Sequence, residues 1–119
     1  MKPIDTRTHG CMDYIMGIFL TASPSIFELN YNGIESTIFY ILGPAAILYS
    51  LLTNYELGFI RLIPMKLHLI LDFISGVILA SSPWLFGFSQ TVYGPHVILG
   101  IIEIGAALLT SCKPMRRVV

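Results

Sequence analysis

The sequence predicts an all-α protein, a four-transmembrane-helix bundle built from two parallel two-helix repeats, and three observations carry that reading. The first is internal repetition. HGCMDYIMGIFLTASPSIF at residues 9–27 returns 59 positions later as HLILDFISGVILASSPWLF at residues 68–86, with eight of nineteen positions identical. The echo resumes downstream at a spacing of 57, where Ile41-Leu42-Gly43, Ile47 and Leu51-Leu52-Thr53 match Ile98-Leu99-Gly100, Ile104 and Leu108-Leu109-Thr110. Self-similarity on this scale marks a doubled supersecondary unit. The second observation is composition: 55% of the residues are hydrophobic and 12% charged, with a mean hydropathy of +0.75, far more apolar than an average globular domain. The third is that the apolar residues gather into four continuous runs, each near the roughly 20 residues that cross about 30 Å of hydrocarbon as helix.

The runs fall at about residues 8–29, 36–54, 66–88 and 95–112. The first follows Lys2 and Arg7 and ends near Ala22-Ser23, which imitates a removable signal peptide. Its copy at residues 66–83 stands in mid-chain, where no signal peptide operates, so the run is expected to stay as a span. Membrane strands would alternate apolar and polar residues over about ten positions, and these runs do not alternate. Backbone groups in lipid must pair within their own segment, so helices are the economical solution. Residues 1–119 are expected to form a single transmembrane domain, with one repeat at about 8–54 and the other at about 66–112. Nothing of useful length is left for an aqueous domain.

Orientation comes from the cations. Lys2, Arg7, Arg61, Lys66, Lys113, Arg116 and Arg117 all fall in the tails or the central connection. The positive-inside rule then places the N- and C-termini in the cytoplasm, in a cell (inner) membrane. Two crossings per unit insert both halves in the same sense, so a pseudo-twofold axis should run along the membrane normal. Cys11 and Cys112 lie near cytoplasmic helix ends, where thiols stay reduced; they are expected to be small packing residues.

Ser82-Pro83-Trp84 in the second unit and Ser23-Pro24-Ser25 in the first sit late in the odd helices. On these residues, the chain resembles the SPW-repeat family of small integral membrane proteins, whose repeat is a pair of helices with Ser-Pro-Trp in the first. The resemblance spans about residues 8–110 and implies fold and location but no reaction. Ser25 departs from the tripeptide, so whatever Trp84 does is missing from the first unit. Pro24 and Pro83 are expected to break or kink their helices, and Trp84, with Phe27, Phe86 and Phe88, to anchor at the outer interface.

Positions four apart share a helix face, so His9, Asp13 and Gly17 form one stripe and His68, Asp72 and Gly76 its copy. Arg7 and Lys66 stand two residues before each His. The second helix carries Gly43, Ala46 and Ser50 on one line; the fourth carries Gly100, Glu103 and Ala107. Such small and polar stripes belong inside a membrane bundle. Glu103, near mid-helix, is costly in lipid and therefore a functional candidate, and its counterpart in the first unit is Ala46.

Three readings of the His-x3-Asp pairs stand open. In one, each Asp pairs with its own His or with Arg7 or Lys66, forming a structural network that specifies register. In another, His9, Asp13, His68 and Asp72 hold a divalent metal through two nitrogens and two oxygens, with bis-imidazole haem ligation by His9 and His68 as a variant. In the last, His9/His68, Asp13/Asp72 and Glu103 relay ions or protons toward the midplane. The chain has no glycine-rich phosphate loop, no GxSxG elbow, no HExxH pair and no Cys cluster. A non-enzymatic membrane protein is therefore expected, with the lipid bilayer and a second copy as its partners and no nucleic acid.

Overall fold

The computed structural model describes residues 2–113. They form four helices, α1 (Thr6–Ile26), α2 (Ile34–Leu51), α3 (Met65–Leu85) and α4 (Gly94–Leu109). Among the described residues there is no strand, only isolated bridges at Ile4–Thr110 and Thr53–Ile63. The all-α fold class read from the sequence is the one found. Arg116 and Arg117, counted above among the tail cations, lie outside the described residues.

Each helix starts one or two residues before the apolar run and ends three before its end. Asp5 caps α1, its carboxylate accepting from the Thr8 amide at 2.7 Å, and that bond holds the carboxyl below its ordinary range. At the far ends of α1 and α3 the chain turns back through a left-handed residue. Glu28 has φ 52° and Gly87 φ 77°, and these positions are 59 apart. The next amides, Leu29 and Phe88, each reach the carbonyl of the helix proline, Pro24 or Pro83, at 2.8 Å, which closes the turn.

Pro24 and Pro83 stand late in α1 and α3, where the sequence puts them. Both helices run two residues beyond them, to Ile26 and Leu85, so Pro24 and Pro83 are buried in the last turn and interrupt no mid-span segment. A proline there forfeits one backbone bond next to a helix end. The aromatic anchors divide as well. Trp84 and Phe86 are exposed, whereas Phe88 is buried against the His96 ring at 4.8 Å between centroids. Cys11 and Cys112 are exposed, so they do not fill the core.

Each hairpin is closed by a pair of glycines. α1 packs along α2 and α3 along α4. A Cβ on Gly76 would lie 2.8 Å from the Gly100 carbonyl oxygen, and one on Gly100 would lie 2.7 Å from the Gly76 carbonyl oxygen. The copies in the other hairpin are as close, with Gly43 reaching 2.9 Å from Gly17 O and Gly17 reaching 3.1 Å from Gly43 O. Backbones meet there without an intervening side chain, the packing mode expected where lipid supplies no hydrophobic drive between helices. Leu20, Ile38, Phe39, Leu79 and Leu99 form one apolar cluster. Tyr55, Met65 and Leu69 form another at the central connection. Burial raises the Tyr55 phenol above its ordinary value.

The helices expose apolar side chains, and the interior holds polar ones beside the two apolar clusters. Ile15, Ile18, Ile41, Leu48, Ile74, Val77, Ile98, Ile101 and Leu108 are exposed along the helices. His9, Ser23, Ser50, Thr53, His68, Asp72, Ser82, His96 and Thr110 are buried. Two helices, Ile34–Leu51 and Met65–Leu85, are long and apolar enough to cross a membrane. α4 is apolar but has 16 residues, about 24 Å at 1.5 Å per residue; α1 has the length without the apolarity. The longest dimension is 47 Å, close to the roughly 40–45 Å of a bilayer with its headgroups.

Candidate functional site: a histidine–aspartate ring

The two His-x3-Asp stripes meet. α1 presents His9 and Asp13, α3 presents His68 and Asp72, and one ligand-type atom from each lies within 4.8 Å of all the others. The shortest contacts cross between the repeats. His9 Nε2 is 2.6 Å from Asp72 Oδ2 and His68 Nε2 is 2.5 Å from Asp13 Oδ2, while each His lies 3.1 Å from the Asp on its own helix. Four atoms thus form a closed ring in which nitrogen and oxygen alternate. Arg7 and Lys66 take no part: both are exposed, and among the described residues no ion pair joins them to either aspartate.

The other imidazole nitrogens are held by a second repeated pair. Thr110 Oγ1 donates to the Ala106 carbonyl at 2.5 Å, and Thr53 Oγ1 donates to the Tyr49 carbonyl at 2.6 Å. With its hydrogen so engaged, each hydroxyl accepts. Thr110 lies 2.7 Å from His9 Nδ1 and Thr53 lies 2.8 Å from His68 Nδ1, which assigns Nδ1–H to both rings. Both Nε2 atoms are then committed to the carboxylates. A lone pair on Nε2 would repel a carboxylate oxygen at 2.5–2.6 Å, so the ring requires positive charge. Two Nε2 protons supply it, and so does one divalent cation, either of which neutralises the two aspartates.

The doubling is broken at two places beside the ring. Tyr49, on α2, donates to Asp72 Oδ1; 57 positions on, its counterpart is Ala106. Ala46 has Glu103 as its counterpart. On the α4 side a void of about 20 Å³ is lined by Asp13, Asp72, Glu103 and Ala106 together with Met12 and Met16. That is room for one water. Glu103 Oε2 is buried there without a hydrogen-bond partner among the described residues.

All five titratable candidates from the sequence are accounted for. His9, Asp13, His68 and Asp72 are brought into direct contact, and Glu103 faces the same void. Pro24, Pro83 and Trp84 lie at the opposite end of α1 and α3, away from the ring. The haem variant fails on geometry, because the two imidazole centroids are 5.6 Å apart and carboxylates cap both Nε2 atoms, leaving no slot for a macrocycle. Sequence reasoning missed Thr53, Thr110, Tyr49 and His96. His96, wholly buried, places Nε2 2.9 Å from the Glu35 carbonyl and stacks on Phe39 at 4.3 Å, its own counterpart in the other repeat.

An all-α bundle with an apolar exterior, apolar helices of membrane length and a buried polar ring drawn twice from the same helix pair points to a membrane protein of duplicated two-helix type. The family model of the SPW repeat domain matches residues 7–110. The chain belongs to that family. No curated protein matches the chain, and no solved structure does.

Proposed function

We propose that this is a multi-pass protein of the inner membrane, with cytoplasmic termini and two parallel repeats, whose ring of His9, Asp13, His68 and Asp72 is a non-enzymatic cation-handling centre served by Glu103. The observation that carries the reading is the closed set of nitrogen–oxygen contacts at 2.5–3.1 Å between the repeats, with both imidazoles turned so that Nε2 faces only carboxylate. Such a ring attracts positive charge to a depth where an unpaired carboxylate costs at least a few kcal/mol. Glu103 offers a third carboxylate at a void that touches the ring and has room for one water. Lipid covers the apolar exterior, and a second copy is the expected neighbour of so small a bundle.

Reconstitution into liposomes tests this. Proton and divalent-cation entry would be followed with internal pH- and metal-sensitive dyes for the wild type and for Glu103→Gln, which keeps the volume and removes the charge. The expected result is flux in the wild type and a drop of roughly tenfold or more in the variant. Equal flux in both would remove Glu103 from the path. No flux in the wild type would leave the ring as a tie between helices.

A further inference from the structure

We propose that the cation held by the ring is a first-row divalent transition metal, one ion per chain, coordinated by His9 Nε2, His68 Nε2, Asp13 Oδ2 and Asp72 Oδ2. This rests on the reading of the ring as a cation centre and names its ligand. Three independent features converge on it. The donor set is two imidazoles and two carboxylates, which suits Zn²⁺ and its neighbours; Mg²⁺ and Ca²⁺ prefer all-oxygen shells and Cu⁺ prefers sulfur. The charges balance, because two carboxylates and one dication sum to zero in a region where net charge is costly.

The third feature lies outside the ring. Metal-binding histidines characteristically donate their second ring N–H to a fixed acceptor, which sets the tautomer and turns the other nitrogen's lone pair to the ion. Thr110 and Thr53 do this for His9 and His68, and their own hydrogens are consumed by carbonyls one turn back. A doubly protonated imidazole in a structural pair uses the same acceptor, so the threonines fix the tautomer and the experiment separates ion from protons. Tetrahedral bonds of about 2.0–2.1 Å set ligand–ligand edges of roughly 3.3 Å, so the present edges of 2.5–3.1 Å would open by at most about 0.8 Å when an ion enters.

The decisive variant is Asp13→Asn with Asp72→Asn. Each amide donates an N–H to an Nε2 lone pair, so the neutral ring is satisfied with no cation and the bundle keeps its cross-repeat bonds. Wild-type and variant protein in detergent would be stripped with chelator, offered Zn²⁺ alone, and measured by elemental analysis and titration calorimetry, with Co²⁺ as a visible-absorption probe of tetrahedral geometry. Far-ultraviolet dichroism and gel filtration check folding. The expected outcome is one Zn²⁺ per wild-type chain, affinity lowered at least a hundredfold in the double variant, and affinity lowered roughly 10–100-fold in Thr110→Val, where all four ligands stay and the bond supporting His9 is lost. No stoichiometric ion in the wild type overturns the proposal, as does an unchanged affinity in the folded double variant. Proton flux without metal binding would sink the metal and spare the cation centre; metal binding without flux would keep both and remove only the conducting role of Glu103.

Discussion

Thr110→Val exchanges a hydroxyl for a methyl of nearly the same volume, at a residue that is wholly buried. Two hydrogen bonds go, the hydroxyl's own to the Ala106 carbonyl and the one it accepts from His9, and the second sets the cost. The His9 Nδ1–H, now 2.7 Å from its acceptor, would be left in a protein interior with none. An orphaned buried donor costs about 1–3 kcal/mol in soluble proteins. Hydrogen bonds between membrane helices average about 0.6 kcal/mol and reach about 1.7, because the dispersed helices also find partners in the unfolded state. His9 is sealed by protein on all sides, so the upper part of the membrane range applies, about 1–2 kcal/mol, or roughly a 5- to 30-fold shift in the folding equilibrium. Thr53→Val should cost the same within about 0.5 kcal/mol, since it plays the same part for His68. Unfolding by SDS in mixed micelles, followed by helical dichroism, gives both values, and imidazole nitrogen NMR reads the tautomer. A cost below about 0.3 kcal/mol together with Nδ1–H retained in the variant would refute the assignment of these threonines as the groups that orient the ring.

Gly100→Val should destabilise by about 1–3 kcal/mol in the same micelle assay, because a Cβ there would meet backbone, Ala80 N at 2.6 Å and Gly76 O at 2.7 Å; Gly105→Ala, with nothing within 4 Å, should be neutral or slightly stabilising. Glu28→Gly should stabilise by roughly 1 kcal/mol, since Glu28 holds a left-handed φ of 52° that the other repeat assigns to Gly87, and a lowered SDS midpoint would contradict the strain. A membrane-impermeant maleimide should label exposed Cys112 in inverted vesicles and not in right-side-out ones, in a Cys11→Ala background. The reverse pattern would overturn the cytoplasmic placement of the C-terminus.

Repetition made most of this centre legible. A chain that spends His9, Asp13, His68 and Asp72 at matched positions in apolar helices declares which side chains belong inside, and the glycine pairs declare which faces meet. The direction of pairing was not legible. Spacing within one helix favours each Asp for its own His, but two helices at close approach bring the foreign carboxylate nearer, by 0.5–0.6 Å on the distances above. Thr53 and Thr110 were visible as matched residues at the end of an apolar block, yet a threonine among leucines reads as β-branched filler. Its preservation through the doubling was the signal. Tyr49 and His96 occur once each, so no repeat could point to them. Both stand opposite small or aromatic counterparts whose role only packing reveals.

The differences between the repeats bear on function more than their likeness does. A ring that served only to tie α1 to α3 would work equally well with both flanks alike, and Tyr49 on each side would seal it. The first repeat does seal its flank: Tyr49 closes on Asp72, and Ala46 puts a methyl where the second repeat has a carboxylate. The second repeat has Ala106 in place of the phenol and Glu103 in place of the methyl, and the space so released is the void that Asp13, Asp72 and Glu103 share. Opening a void and placing an unpartnered carboxylate beside it both cost stability. Two unfavourable substitutions that coincide at one flank make sense together as a one-sided route to the ring. Glu103→Ala, which gives this flank the methyl of the first repeat, should then leave the ring intact and block exchange, while Ala46→Glu should not open a second route with Tyr49 still in place.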